Sequence, residues 1–334
     1  MSAILEVSGL RKHFPVKGRS VHGGAAVVRA VDDVSFTVQP GQTLGIVGES
    51  GCGKSTTARL IMHLIVPDRG EIRVDGRRVG AQGGLSLKEL RQQVQMVFQD
   101  SYASLNPRLC VADSIAFGPR AHGMSRTLAR RKTHELLALV GLDPAHFAER
   151  YPHQLSGGQR QRVNIARALV MEPKIVIFDE AVSALDKSVE AQVLNLLMDL
   201  KERLGLTYLF ISHDLNVVRY VADRVMVMYL GKVAEWGQVD DIYLRPMHPY
   251  TTALLASRPT MDPDRKIERS PLSGDPPSPV DPPSGCRFRT RCDYAEDVCA
   301  GTEPQLLGEA REDGHAVACH IHWRRSTHSQ APGV

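Results

Sequence analysis

Eight consecutive residues, Gly48-Glu49-Ser50-Gly51-Cys52-Gly53-Lys54-Ser55, satisfy the pattern G-x-x-x-x-G-K-[ST] in full. The apolar stretch Thr43–Val47 ahead of them predicts a short buried strand. Ser55–Leu64 behind them, apolar along one side, predicts a helix. A glycine-rich turn from strand into helix lets the backbone wrap a polyphosphate with its N–H groups aimed at the oxygens, and the helix N-terminus adds partial positive charge. Gly48, Glu49, Ser50, Gly51, Cys52, Gly53, Lys54, Ser55 and Thr56 are therefore the candidate nucleotide-binding residues, a substrate such as ATP with Mg²⁺ being implied. Lys54 is placed to neutralise the β- and γ-phosphates and the Ser55 hydroxyl to bind Mg²⁺. Cys52 contributes backbone, not a nucleophilic thiol.

Around that loop, helical and buried-strand patterns alternate. Ile4–Val7 and Val31–Val38 predict strands with a glycine-rich loop, Lys17–Ala26, between them. Thr127–Val140, Gln159–Val170 and Ser188–Leu204 predict helices, as does the stretch from Leu215. Ile175–Phe178, Tyr208–Ile211 and Arg224–Tyr229 predict buried strands. Such alternation argues for an α/β fold with a largely parallel sheet flanked by helices. With 334 residues, of which 43% are hydrophobic, the chain is long enough for one large domain and a smaller appendage. The change of character falls beyond about Leu255. Six prolines in the thirteen residues Pro271–Pro283 predict a linker or rigid loop, and the polar tail Arg324–Val334 predicts poor order.

Composition narrows the function classes. The net charge of +4, from 41 basic and 37 acidic residues, is too small and too dispersed to support a nucleic-acid stripe. The longest apolar runs, such as Val225–Leu230, are about a third of the roughly 20 residues that span a bilayer. Charge at Glu6, Arg11 and Lys12 interrupts the N-terminus before a secretory segment develops. The expectation is a chain that stays in the cytoplasm and meets a membrane through protein partners.

Ile175-Val176-Ile177-Phe178-Asp179-Glu180 predicts a buried strand delivering two carboxylates at its C-terminal edge, where such sheets place ligand sites. Asp179 suits the Mg²⁺ sphere, and Glu180 can polarise an attacking water and accept its proton. Downstream of the loop stands Leu155-Ser156-Gly157-Gly158-Gln159, which on its own is a possible helix cap and anion site. It matches the signature of ABC-transporter ATPases, and the chain resembles that family from about Ile4 to Leu255. The resemblance implies a P-loop ABC ATPase domain over 1–258, comprising a RecA-like mixed sheet with helices, a helical subdomain at about 100–170 and an antiparallel β subdomain, with 259–334 as a C-terminal cysteine-containing appendage. In the family, two such subunits close head to tail, each signature acting on the nucleotide held by the other subunit. The resemblance also implies roles for Gln99 in the Mg²⁺ and water sphere, for His213 as the switch histidine, for Ser183-Ala184-Leu185-Asp186 in communication across the dimer, and for Phe14 as an adenine-stacking aromatic. Lys54, Gln99, Glu180 and His213 form the implied catalytic set. Ala181 departs from the proline common after the catalytic glutamate, a position that contributes no chemistry.

Three strings are similar to the dipeptide and oligopeptide importer branch: Phe98 to Pro107, Ala191 to Leu197, and His248-Pro249-Tyr250-Thr251. The segment Pro15–Ala30 resembles the F-type subunit of that branch. This implies a heterodimer with a D-type ATPase, two transmembrane permease subunits and an extracytoplasmic solute-binding protein, and a peripheral place on the cytoplasmic face of the inner membrane. Of six cysteines, Cys286, Cys292, Cys299 and Cys319 cluster near the C-terminus, and disulfides are disfavoured in a reducing compartment. Their spacing is compatible with an iron–sulfur cluster, the lack of any C-x-x-C pair disfavours a zinc knuckle, and unligated thiols stay open. The branch resemblance implies a [4Fe-4S] cluster there. Arg287, Arg289 and Arg291 between these cysteines are taken as solvated charges. The rival readings are a soluble ABC ATPase acting on ribosomes or nucleic acid, and a module that binds ATP without hydrolysing it. One phosphate loop, no sustained heptads and an intact catalytic set weigh against both.

Overall fold

The computed structural model describes residues 2–19, 25–257, 274–307, 314–323 and 326–332. It divides into two compact units that interleave along the chain, one made of Met1–Leu5, Val38–Thr43 and Arg73–Ser212, the other of Glu6–Thr37, Leu44–Ile72 and His213–Val334.

In the first unit three fully buried or nearly buried strands lie parallel. Val94–Val97 pairs with Ile175–Phe178, and Ile175–Asp179 pairs with Thr207–Ile211. Their continuous apolar runs are what a sheet covered on both faces requires. Phe178 packs edge-on against Tyr208 at 4.9 Å between ring centroids. Beside them, Val111–Ala121, Arg126–Leu139 and Gly157–Leu169 pack on one another as a helical cluster. Each presents one apolar face, through Ile115, Leu137 and Val163 among others. The long helix Lys187–Leu204 ends on Gly205 in the left-handed conformation (φ +62°), a position that favours glycine.

The second unit mixes strand directions. Leu44–Val47 runs parallel to Arg224–Val227, whereas Arg224–Tyr229 and Lys232–Gln238 pair antiparallel. Lys232–Gln238 carries an irregularity between Val233 and Glu235 and accepts a further antiparallel partner, Ala316–Val317, from the C-terminal segment. Parallel pairing thus prevails as expected, and the antiparallel pairs form an edge where hairpin-connected strands and a returning C-terminal strand need no helical crossover. The N-terminal strands are longer than predicted, Leu5–Arg19 and Ala25–Val38, so both ends of the expected Lys17–Ala26 loop are strand and 20–24 lies outside the described residues. The Pro-rich segment falls partly outside them, but Pro279 accepts a hydrogen bond from the Arg29 N–H at 3.1 Å. The tail departs from expectation. His328 is buried and bonds the Tyr294 carbonyl at 2.8 Å, while the Ser329 N–H donates to Glu296.

Glu235 is fully buried and accepts hydrogen bonds from the Met247 and His248 N–H groups, with the His315 ring nitrogen 2.7 Å away. Burial pushes its carboxyl up, but His315, Thr251 and those two N–H groups outweigh it and hold the group below its ordinary value of 4.5. Its charge therefore contributes stability that is present above 4.5 and lost as pH falls through the lowered native value. Glu235→Ala leaves the histidine and two amides without their acceptor and is expected to lower unfolding stability by about 3–5 kcal/mol. Denaturant melts at pH 7 check this, and Glu235→Gln should flatten the acid limb of the stability profile.

Candidate active site

The strand Thr43–Val47 runs into the phosphate loop, and Gly53 caps the helix Lys54–Ile61. The glycines meet steric requirements. Gly48 has φ +147°, and a Cβ there would sit 2.2 Å from the Met228 carbonyl oxygen. Gly53 has φ +109°, and a Cβ there would sit 2.2 Å from the Ala30 carbonyl oxygen. Lys54 is buried, its ammonium donating to the carbonyls of Gly48 at 2.7 Å and Glu49 at 3.0 Å. Thr57 ties back to the Gly53 carbonyl at 3.0 Å. Ser55 and Thr56 stand half-buried at the helix start. Ser50 and Gly51 form the exposed outer turn, Gly51 at φ +78°. Cys52 is buried beneath the loop, and burial raises its thiol against the pull of Lys54. That keeps it a protonated, inert group. Phe14 is half-buried with the Lys12 ammonium 5.5 Å from its ring centroid.

The first unit gathers the carboxylates. Asp179 ends its strand in a buried position. Glu180 follows with φ +50°, unusual for a side-chain-bearing residue, and its N–H donates to the Ile211 carbonyl at 2.9 Å. Gln99 Nε2 donates to Glu180 Oε2 at 3.0 Å, although 81 residues separate the two. Ser183 Oγ donates to the Glu180 carbonyl at 2.9 Å, which fixes the loop that continues through Ala184, Leu185 and Asp186.

In the same unit the signature opens the helix Gly157–Leu169. Ser156 caps it and forms a reciprocal box with Gln159, the Gln159 N–H donating to Ser156 Oγ and the Ser156 N–H to the Gln159 side chain. Leu155 is buried, its carbonyl held by Arg160 at 2.6 Å. Gly157 lies against Leu185, and a Cβ on Gly158 would meet Val189 at 2.4 Å. The signature and the Ser183–Asp186 loop are therefore packed together. His213 is exposed, two residues past the strand Thr207–Ile211, and Asp214 caps the helix that follows. His213, Phe14, the phosphate loop and the four C-terminal cysteines belong to the second unit, while Gln99, Asp179, Glu180 and the signature belong to the first.

Cys286, Cys292, Cys299 and Cys319 line one small cavity. Nearby main-chain N–H groups pull the Cys286, Cys292 and Cys319 thiols down. Burial nevertheless pushes Cys286 up to about 11 and Cys319 up to about 12. Among the described residues no three His, Cys, Asp or Glu side chains come close enough to hold a single metal ion.

Two of the three arginines between these cysteines, Arg287 and Arg291, are not solvated as expected, while Arg289 makes only exposed local bonds to Ser284. Arg287 is buried and donates to the Leu230 carbonyl and to the Asp32 carboxylate. Arg291 grips both oxygens of Glu49, at 2.7 and 3.1 Å. Tyr250, noted in the sequence only as part of a string, accepts the Glu49 N–H at 2.9 Å. No periodicity marks such long-range pairs. The one signal is the run of arginines at every second position, 287, 289 and 291, between Cys286 and Cys292.

A sequence profile described as ABC transporter matches residues 31–183. A probable peptide ABC transporter ATP-binding protein of Sinorhizobium fredii is 50% identical over 321 residues, covering 96% of this chain and 90% of that protein. The chain belongs to the ABC transporter family, as one of its ATP-binding subunits. A second profile, the oligopeptide/dipeptide transporter C-terminal region, matches residues 234–299 of this ABC subunit. The oligopeptide transport ATP-binding protein AppF of Bacillus subtilis is 48% identical over 323 residues, 96% of this chain and 97% of that one. Among solved structures, the ATP-binding cassette MJ0796, a dimer in a post-hydrolysis state with ADP and phosphate, superposes with a TM-score of 0.60 at 29% identity, over 70% of this chain and 98% of that chain. The subunit is an ABC-type ATPase of mixed α/β fold, and among its described residues no helix is long and apolar enough to cross a membrane.

Proposed function

We propose that this ATPase powers the import of di- or oligopeptides through a membrane transporter. The observation that carries the peptide assignment is the match of residues 234–299 to the oligopeptide/dipeptide transporter C-terminal region. The contact between Gln99 and Glu180, next to Asp179, supports the hydrolytic roles. Glu180 takes the proton of the attacking water, and Gln99 orients the carboxylate. Lys54 and the loop from Gly48 to Thr56 bind the triphosphate, with His213 against the γ-phosphate and Phe14 against the base. Ser55, Gln99 and Asp179 hold Mg²⁺, which supplies charge neutralisation at the phosphates. Leu155 to Gln159 act on the nucleotide of a second ATPase subunit, and Ser183 to Asp186 relay its state. That packing of signature against relay loop supports a dimer-dependent site.

In this reading 1–258 is the nucleotide-binding domain, with its helical part at about 100–170, and 259–334 is the appendage. The partner ATPase is D-type, and two permease subunits and an extracytoplasmic binding protein complete the importer. The chain sits peripherally on the cytoplasmic face of the inner membrane.

The four cysteines fit an iron–sulfur cluster better than zinc. A zinc ion with bonds of about 2.3 Å draws its sulfurs together, whereas a cluster binds each sulfur at a separate iron. That all four cysteines line one small cavity supports a shared ligand. Held by Cys286, Cys292, Cys299 and Cys319, a [4Fe-4S] cluster supplies a one-electron centre or a structural staple. Protein purified anaerobically should show broad visible absorption that Cys292→Ser removes. A colourless preparation with bound zinc, or with four titratable thiols, contradicts the cluster.

A further inference from the structure

Glu49 is the second residue of the phosphate loop, and three groups hold it. Its carbonyl accepts the Lys54 ammonium at 3.0 Å, its N–H donates to the Tyr250 hydroxyl at 2.9 Å, and its carboxylate is clasped by the guanidinium of Arg291. The Arg291 side chain is only 5% exposed, lies 6.0 Å from the Tyr229 ring centroid and donates to the Tyr229 hydroxyl at 3.4 Å. Phe288, three residues earlier, packs on Tyr229 and Tyr250 at 5.3 and 5.4 Å. The far side of the loop is tied to the same segment. Arg287 binds the Leu230 carbonyl and Asp32, the next residue Gly231 donates its N–H to the Cys52 carbonyl at 2.8 Å, and the Asp32 N–H returns to the Gly231 carbonyl at 2.9 Å.

We propose that Arg291 is a positioning residue for nucleotide, fixing the phosphate loop through its two-pronged pair with Glu49 and cancelling the negative charge that this loop carries. The inference rests on reading Gly48–Ser55 as the phosphate site. A planar fork on a carboxylate fixes orientation as well as charge, which a lysine does not reproduce. Glu49 is the residue whose carbonyl and backbone help hold Lys54, so the clasp sets where the lysine ammonium stands. Loss of Arg291 both frees the loop and leaves its negative charge uncancelled. Each effect weakens nucleotide binding in ground state and transition state alike, and the signature is a raised KM with kcat little changed.

The test uses the assembled transporter with its ATPase subunits, comparing wild type, Arg291→Gln, Arg291→Lys, Glu49→Gln, the double variant Arg291→Gln/Glu49→Gln, and Lys54→Ala. Arg291→Gln is expected to raise the KM for ATP by about 10-fold with kcat within about 2-fold. Arg291→Lys should fall between, and the double variant should recover at least about 3-fold of the lost KM because the repelling carboxylate is gone. A structural role alone would not give that recovery. Should Arg291→Gln fail to assemble, Arg291→Lys and the double variant carry the same comparison. The proposal is overturned if KM stays at the wild-type value in Arg291→Gln and Arg291→Lys, or if single and double variants are raised equally. Nucleotide binding by Lys54→Ala separates the two readings. Wild-type affinity there removes the phosphate-site assignment itself, whereas lost affinity beside normal KM in the Arg291 variants removes only the positioning role.

Discussion

Glu180→Gln is expected to lower ATP turnover in the assembled transporter by at least about 10²-fold while nucleotide binding is retained. The amide keeps the size and hydrogen-bonding reach of the carboxylate but cannot accept the proton of the attacking water. The local structure supports a single, fixed role for this side chain. The strand Ile175–Asp179 delivers Asp179 and then turns, and Glu180 holds a left-handed φ of +50° with its N–H on the Ile211 carbonyl. Such a conformation persists where the surroundings over-determine it, and it aims the carboxylate at Gln99 Nε2, 3.0 Å away. Single-turnover and steady-state hydrolysis, with a separate binding measurement, decide the matter. Near-normal turnover sinks the assignment of Glu180 as the base.

Gly53→Ala is expected to weaken nucleotide binding by more than about 100-fold. At φ +109° a side chain is strained by roughly 1–3 kcal/mol before any contact is counted. The added methyl would also lie 2.2 Å from the Ala30 carbonyl oxygen, which belongs to backbone and cannot swing aside. Relief requires the loop to shift away from the strand Ala25–Val38, carrying Lys54 with it. Since about 1.4 kcal/mol is a factor of ten in affinity, strain and displacement together exceed two decades. Gly51→Ala is the control. It too has a positive φ, +78°, but nothing lies within 4 Å of its would-be Cβ, so only the strain is imposed. Equal affinity for wild type and Gly53→Ala, measured by titration with a fluorescent nucleotide, contradicts the role given to this glycine.

What was legible in the sequence is what repeats locally. The loop glycines, the buried runs Ile175–Phe178 and Tyr208–Ile211 and the helices beginning near Gln159 and Ser188 follow from spacing over a few residues, and the structure has them close to the expected limits. Ser156 even keeps its bland role as a helix cap alongside its place in the signature. What the sequence hid are pairings set by topology. Arg291 reaches Glu49 across 242 positions and Arg287 reaches Asp32 across 255, and an arginine has the same letters whether solvated or clasped. The short strand Ala316–Val317 has no alternation to betray it and is held by the edge of Glu235 and Trp236 on one side and by Leu307 on the other. The polar tail looked disordered because its order rests on one buried histidine, His328, and not on an apolar stripe.

The most direct test of the central claim is ATP-dependent accumulation of a labelled dipeptide or oligopeptide in vesicles carrying the reconstituted transporter and its binding protein. Uptake should require ATP on the side of this subunit, vanish in Lys54→Ala and in Glu180→Gln, and be accompanied by peptide-stimulated hydrolysis. Hydrolysis that proceeds at full rate while no peptide of any length accumulates or stimulates it would contradict the account.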